Sequence, residues 1–126
     1  FYGATEELWY PAWDLGGAPW ESSLYRSDSP SEYVKNFKTP CLVITGEKDF
    51  RIPYTQSLEF FTALQNMNVP SRLIVFEKAG HWPAWYEMAL YYNAHLEWFH
   101  RYLGGDPAPW NSEEMVRNGA PFTVKK

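Results

Sequence analysis

Two short, unbroken apolar runs constrain this chain more than anything else in it, because each is too short for a helix and each leads straight into a polar loop. The first is Cys41-Leu42-Val43-Ile44-Thr45, introduced by Pro40, and the second occupies residues 72–76 with Leu73-Ile74-Val75-Phe76 as its centre. Runs of this length without polar alternation predict strands buried on both faces. Between them, from Tyr54, Leu58, Phe61 and Leu64 recur at helical spacing, flanked by Phe60 and Met67. Pro53 stands where helix starts favour proline, and Asn66, Asn68 and Pro70 end the pattern. After the second run a longer helix is expected from about Pro83 to Leu103. Its apolar stripe is Met88, Tyr92, Leu96, Phe99 and Leu103, and Gly104-Gly105 stop it. The order strand, helix, strand, helix with short connections predicts an α/β fold with parallel strands and right-handed crossovers. Two strands do not make a stable isolated sheet, so residues 1–40 or other segments must complete it.

The flanks are less regular. Residues 1–40 are broken by Pro11, Gly16, Gly17, Pro19, Pro30 and Pro40, with Trp9, Tyr10, Trp13, Trp20 and Tyr25 between them. Short helical pieces are the most this segment can form. One is expected at Ser29-Pro30-Ser31-Glu32, with Tyr33, Val34 and Phe37 on its apolar side. Residues 106–126 read as an extended tail that packs on a neighbour through Trp110. The whole chain, 1–126, is therefore one partial domain: an irregular aromatic-rich segment (1–40), a core (41–105) and a tail (106–126).

Composition excludes several classes. The net charge of −4 gives no basic footprint for nucleic acid. No apolar stretch approaches a membrane span. Cys41 is the single cysteine, so no internal disulfide forms, which slightly favours a reducing, cytoplasmic setting. His95 and His100 join no metal-ligand set and are expected to be exposed; Cys41 is expected to be an inert core thiol. No metal and no cofactor is expected. Phe1-Tyr2-Gly3 carries neither an initiator Met nor a leader, and reads as the middle of something longer.

The loops after the two runs hold the candidate chemistry. Asp49 ends Gly46-Glu47-Lys48-Asp49, and His81 ends Ala79-Gly80-His81, 32 residues later. Polar residues just past the strand ends are where open α/β sheets place working groups. One helix and one strand fit in the interval, so the two side chains can meet above adjacent strands. There an Asp can fix the tautomer of a His and stabilise its imidazolium. Spacing alone leaves the alternative open that Asp49 caps the helix near Tyr54 and His81 is a loop histidine.

The combination Gly46-Glu47-Lys48-Asp49-Phe50-Arg51-Ile52-Pro53, then Gln56, Val69-Pro70, Gly80-His81 and Trp98-Phe99, resembles the C-terminal end of the prolyl oligopeptidase family of serine peptidases. Trp13-Asp14-Leu15-Gly16-Gly17-Ala18-Pro19-Trp20-Glu21, followed by Ser29-Pro30, is similar to the run that precedes the acid in that family. The resemblance covers roughly residues 1–104. It implies the C-terminal portion of an α/β-hydrolase fold, with Asp49 and His81 as acid and base of a Ser-Asp-His triad acting on peptide substrates. It further implies that Arg51 donates to a substrate carbonyl and that Ile52 lines the pocket at the cleavage site, where the alternative is plain core. Trp9 and Tyr10 would belong to the pocket's aromatic wall, beside Trp13. An Arg51 paired to a carboxylate such as Glu47 is the competing reading of that residue.

One element of the family pattern is missing. Ser22, Ser23, Ser27, Ser29, Ser31, Ser57, Ser71 and Ser112 all lack the Gly-x-Ser-x-Gly setting of a nucleophile elbow. The resemblance places that serine, and the oxyanion hole beside it, upstream of Phe1. The expected partners are thus a peptide substrate and either a nucleophile-bearing segment of the same protein or further copies of this chain. An esterase of the same fold shares the triad chemistry. A catalytically inert fragment that associates through its sheet edge and apolar faces is the reading from another class.

Overall fold

The structure, a computed structural model, describes residues 2–116. Its centre is a parallel pair, β1 (Cys41–Gly46) and β2 (Ser71–Phe76), in register from Cys41 beside Ser71 to Gly46 beside Phe76. The helix α3 (Tyr54–Asn66) makes the crossover. It ends through Met67 and Asn68, whose φ of 55° turns the chain back toward β2.

Side chains alternate across the two strands, as the pleat requires. Leu42, Ile44, Ile74 and Phe76 point to one face and meet Leu90, Tyr91 and Ala94 of α4 (Met88–Leu103). Cys41, Val43 and Leu73 point to the other and meet Phe60, Phe61, Leu64 and Met67 of α3, with Val69 and Phe37. Helices on both faces are what a parallel pair needs to bury its two apolar surfaces. Cys41 is half-buried in this second cluster, and that burial pushes its thiol pKa up, as an unreactive packing residue requires.

Upstream lie two short helices, α1 (Trp9–Asp14) and α2 (Leu24–Ser27), and a 3-10 helix at Pro30–Asn36. The last is the piece expected after Ser29. Val34 and Phe37 turn inward, but Tyr33 is exposed, its hydroxyl donating to the Ser27 carbonyl at 2.6 Å. No strand forms in residues 2–40, so this segment does not extend the sheet.

Three expectations are corrected. First, α4 begins at Met88 rather than Pro83. Residues 84–87 instead form a turn in which the Ala84 N–H donates to the Glu87 carboxylate (2.7 Å) and the Glu87 N–H to the Ala84 carbonyl (2.8 Å). Second, the stripe Tyr92, Leu96, Phe99 and Leu103 is exposed. The face that meets the strands runs through Leu90, Tyr91 and Ala94, where the small Ala94 lets the helix approach closely, and Trp98 is buried one turn further on. His95 is half-buried between these faces, its Nδ1–H donating to the Tyr91 carbonyl at 2.7 Å, whereas His100 is exposed as expected. Third, the start of the tail folds back on its own chain. Trp110 pairs through its backbone with the Asn93 amide (2.7 and 3.1 Å), and a one-turn helix α5 (Ser112–Met115) follows. Residues 117–126 of the expected tail lie outside the described residues.

Candidate active site

The strand ends bring two loops into direct backbone contact. Past Gly46, the Glu47 N–H donates to the Phe76 carbonyl (3.0 Å) and the Lys48 N–H to the Ala79 carbonyl (2.9 Å). Gly46 itself has no room for a side chain. A Cβ there would lie 2.5 Å from the Ala79 carbonyl oxygen and closer still to that of Gly80. Glycine at the end of β1 thus lets the two loops touch, and it is the closeness of the loops that lets their side chains meet.

Asp49 and His81 are brought together at the top of this contact. The His81 Nδ1 lies 3.0 Å from Asp49 Oδ2. The other carboxylate oxygen, Oδ1, accepts from the backbone N–H groups of Arg51 and Ile52, each at 2.9 Å. The two oxygens are thereby divided, one fixing the loop and one facing the imidazole. Asp49 does not cap α3, whose preceding residue is Pro53 with no side-chain cap bond. The Asp49 side chain is 10% exposed and that of His81 40%. Burial pushes the Asp49 pKa up, but the Ile52 N–H, the His81 ring and the Arg51 N–H together outweigh it, and the carboxyl titrates below its ordinary value. A carboxylate only accepts, so the proton of this bond is the one on Nδ1, and in the neutral ring Nε2 is then the acceptor. Among the described residues His81 hydrogen-bonds Asp49 alone, and no serine reaches its ring.

The other expected residues surround this pair unevenly. Arg51 pairs with a carboxylate, but with Glu6 (Nε to Oε1, 3.2 Å) and not Glu47. Ile52 is 38% exposed in this chain. Trp9 and Tyr10 are exposed on α1, edge to face with each other at 5.9 Å. No hydrogen bond or ring contact links them to Asp49 or His81 among the described residues. They are nevertheless carried on the segment bonded to the acid loop, since the Glu6 N–H donates to the Phe50 carbonyl at 2.7 Å. Sequence reasoning missed Glu6 and Thr5, whose hydroxyl donates to the Arg51 carbonyl at 2.5 Å; no motif joins residues so far apart. It also missed Trp82, 70% exposed and edge to face with the His81 imidazole at 5.7 Å, although its place beside His81 was a signal. Among the described residues no His, Cys, Asp and Glu cluster could hold a metal ion, and no helix is long and apolar enough to cross a membrane.

The sequence model of the prolyl oligopeptidase family matches residues 1–106. This chain belongs to the prolyl oligopeptidase family. Its relatives include dipeptidyl-peptidase 5 of Porphyromonas gingivalis, 37% identical over 108 residues, which are 81% of this chain and 16% of that protein. The Schizosaccharomyces pombe dipeptidyl-peptidase 5 is 43% identical over 65% of the chain and 12% of its own length. That of Aspergillus fumigatus is 37% identical over 94% of the chain and 17% of its own length. In structure the chain is similar to the acylaminoacyl peptidase of Pyrococcus horikoshii, with a TM-score of 0.72 at 26% identity, covering 90% of this chain and 20% of that one. The family is one of serine peptidases, and the fold is part of an α/β-hydrolase domain. The chain spans about a sixth of the length of the dipeptidyl-peptidases it matches.

Proposed function

We propose that this sequence supplies the acid and the base of a serine peptidase acting on short peptides, the serine coming from a segment outside it. The observation that carries the reading is the divided carboxylate of Asp49, with Oδ2 3.0 Å from His81 Nδ1 and Oδ1 tied to two backbone N–H groups. An Asp held this way keeps the imidazole in one tautomer with Nε2 bare. His81 Nε2 then takes the proton of the serine hydroxyl as it attacks the peptide carbonyl. The same proton passes to the leaving amine as the C–N bond breaks. In the second half, His81 removes a proton from water and returns it to the serine as the acyl-enzyme is hydrolysed. Arg51 binds a substrate carbonyl on the N-terminal side of the scissile bond, and Ile52, Trp9 and Tyr10 contribute apolar surface for compact side chains.

Kinship with dipeptidyl-peptidases supports a peptide substrate. So does a similar acylaminoacyl peptidase, 26% identical, solved in complex with Z-Gly-Gly-Phe-chloromethyl ketone. The test is made on the enzyme that carries this sequence together with its serine. A fluorophosphonate should label that serine, and His81→Ala should cut both labelling and dipeptidyl-amide hydrolysis by about 10³-fold or more. Undiminished labelling in that variant would remove His81 from the mechanism.

A second reading has its own observation. Tyr92, Leu96, Phe99 and Leu103 are each at least half exposed along one side of α4. On its own the chain would then be catalytically inert and associate through that side.

A further inference from the structure

We infer that Glu6 is a positioning residue for Arg51: it grips the guanidinium by its Nε edge and so presets the remaining donors for a peptide carbonyl. The inference rests on the role proposed above for Arg51. Three bonds tie the Thr5–Glu6 segment to the acid loop: Thr5 hydroxyl to Arg51 carbonyl, Glu6 N–H to Phe50 carbonyl, and Glu6 carboxylate to Arg51 Nε. Thr5 is buried, so the strap sits against the loop and is not laid over its surface. Asp49 meanwhile holds the same loop from the other side through the Arg51 and Ile52 N–H groups. Arg51 is therefore fixed at its N–H, at its carbonyl and at the Nε of its side chain.

The choice of Nε matters chemically. A guanidinium carries five N–H donors, and the bond to Glu6 uses the single one on Nε. The four on the two Nη groups are left for a ligand. A long side chain that must be immobilised by its substrate loses rotamer freedom at the moment of binding. With Glu6 in place, that ordering is completed when the protein folds. Both side chains are 49% exposed, so a substrate can reach the pair and the pairing itself adds little to stability.

The experiment compares Glu6→Ala, Glu6→Gln, Arg51→Ala and the Glu6→Ala/Arg51→Ala double variant in the peptidase that contains this sequence. Each is assayed on a dipeptidyl amide and on a simple acetate ester that has no carbonyl for Arg51. Glu6→Ala should raise the ratio of peptide KM to ester KM about three- to fivefold, an exposed ion pair's worth, with a smaller change in kcat. Glu6→Gln, which retains an acceptor oxygen, should restore part of the ratio. The double variant should match Arg51→Ala alone, because Glu6 acts only through Arg51. Equal shifts on both substrates, additive effects in the double variant, or no change in the ratio would each overturn the inference. Fluorophosphonate labelling of the same variants reports the triad separately. If labelling is lost in His81→Ala while the KM ratio ignores Glu6, the triad stands and the inference falls. If labelling survives in His81→Ala, the proposed function falls on its own evidence.

Discussion

Gly46 shows how much one residue without a side chain can decide. Its Cα abuts the Ala79 and Gly80 carbonyls, so the separation of the two polar loops is set by backbone contact. Gly46→Ala must push those loops apart, at a cost of about 1–3 kcal/mol for an added methyl in a packed site. The expected signature is a lower Tm together with loss of the low-field Nδ1–H resonance of His81 in the proton spectrum; an unmoved resonance would show that the loops adjust elsewhere. Asp49 makes a second prediction at this scale. Its pKa lies below the ordinary carboxylate value in the folded chain, so it binds fewer protons when folded than when unfolded. The stabilisation is fully present above the ordinary value, about pH 4, and is lost as pH falls through the lower folded value. The Tm difference between the parent and Asp49→Asn should therefore be flat above about pH 5 and shrink below about pH 4. Asp49→Asn should also lower kcat of the proposed enzyme by about 10⁴-fold, because an amide can hold the imidazole in the wrong tautomer. Asp49 and His81 could be picked out in the sequence because strand ends and spacing mark them, and Arg51 only through the family resemblance of the acid loop. Glu6 could not, because an ion pair across 45 residues leaves no local pattern.

Among the elements, α4 separates what periodicity reveals from what it leaves open. A 3.6-residue repeat identifies a helix, and residues 88–103 form one. The same repeat cannot choose between two adjacent apolar faces, and here Leu90, Tyr91 and Ala94 take the strands while Tyr92, Leu96, Phe99 and Leu103 stay exposed. The start of α4 was misplaced for a related reason, since the Glu87 side chain bonds the Ala84 N–H to close a turn that an apolar count cannot register. The C-terminal fold-back was hidden because polar residues hold it. Glu97 accepts from the Ser112 N–H (2.6 Å), the Ser112 hydroxyl, Asn93 (3.1 Å) and Arg72 (3.4 Å), joining β2, α4 and α5 around one carboxylate. Ser112 is fully buried there and accepts in turn from Arg72 at 2.7 Å. Glu97→Ala strands several buried donors at about 1–3 kcal/mol. It should lower Tm by roughly 5–15 °C and open the 104–111 connection to limited proteolysis. Unchanged melting would show that water replaces the carboxylate.

The whole molecule has more apolar surface than its own elements cover. Trp13, Trp20, Trp85 and Leu103 are each at least 75% exposed, and α4 presents apolar residues on two sides. Exposed apolar faces of this extent favour association. Sequence alone indicated this through the presence of too few strands, and the sheet of two strands among the described residues agrees with it. Light scattering after size exclusion should accordingly give a mass that rises with concentration for the isolated chain. Leu96→Glu combined with Phe99→Glu should return it toward the monomer; a monomer at every concentration would leave those faces without a role in association.

The backbone contacts between the two loops also bear on how such a peptidase can be divided. The strand and loop contacts that bring Asp49 to His81 lie between Cys41 and His81: two parallel strands, one crossover helix and the bonds from Lys48 to Ala79 and from Glu47 to Phe76. The proposed acid–base pair is thus carried on one contiguous stretch of chain. If the proposed serine lies on a separate segment, a break ahead of Thr5 leaves these contacts and the Thr5–Glu6 strap intact. Split-protein complementation, in which two separately expressed pieces regain turnover on mixing, is the design this arrangement allows.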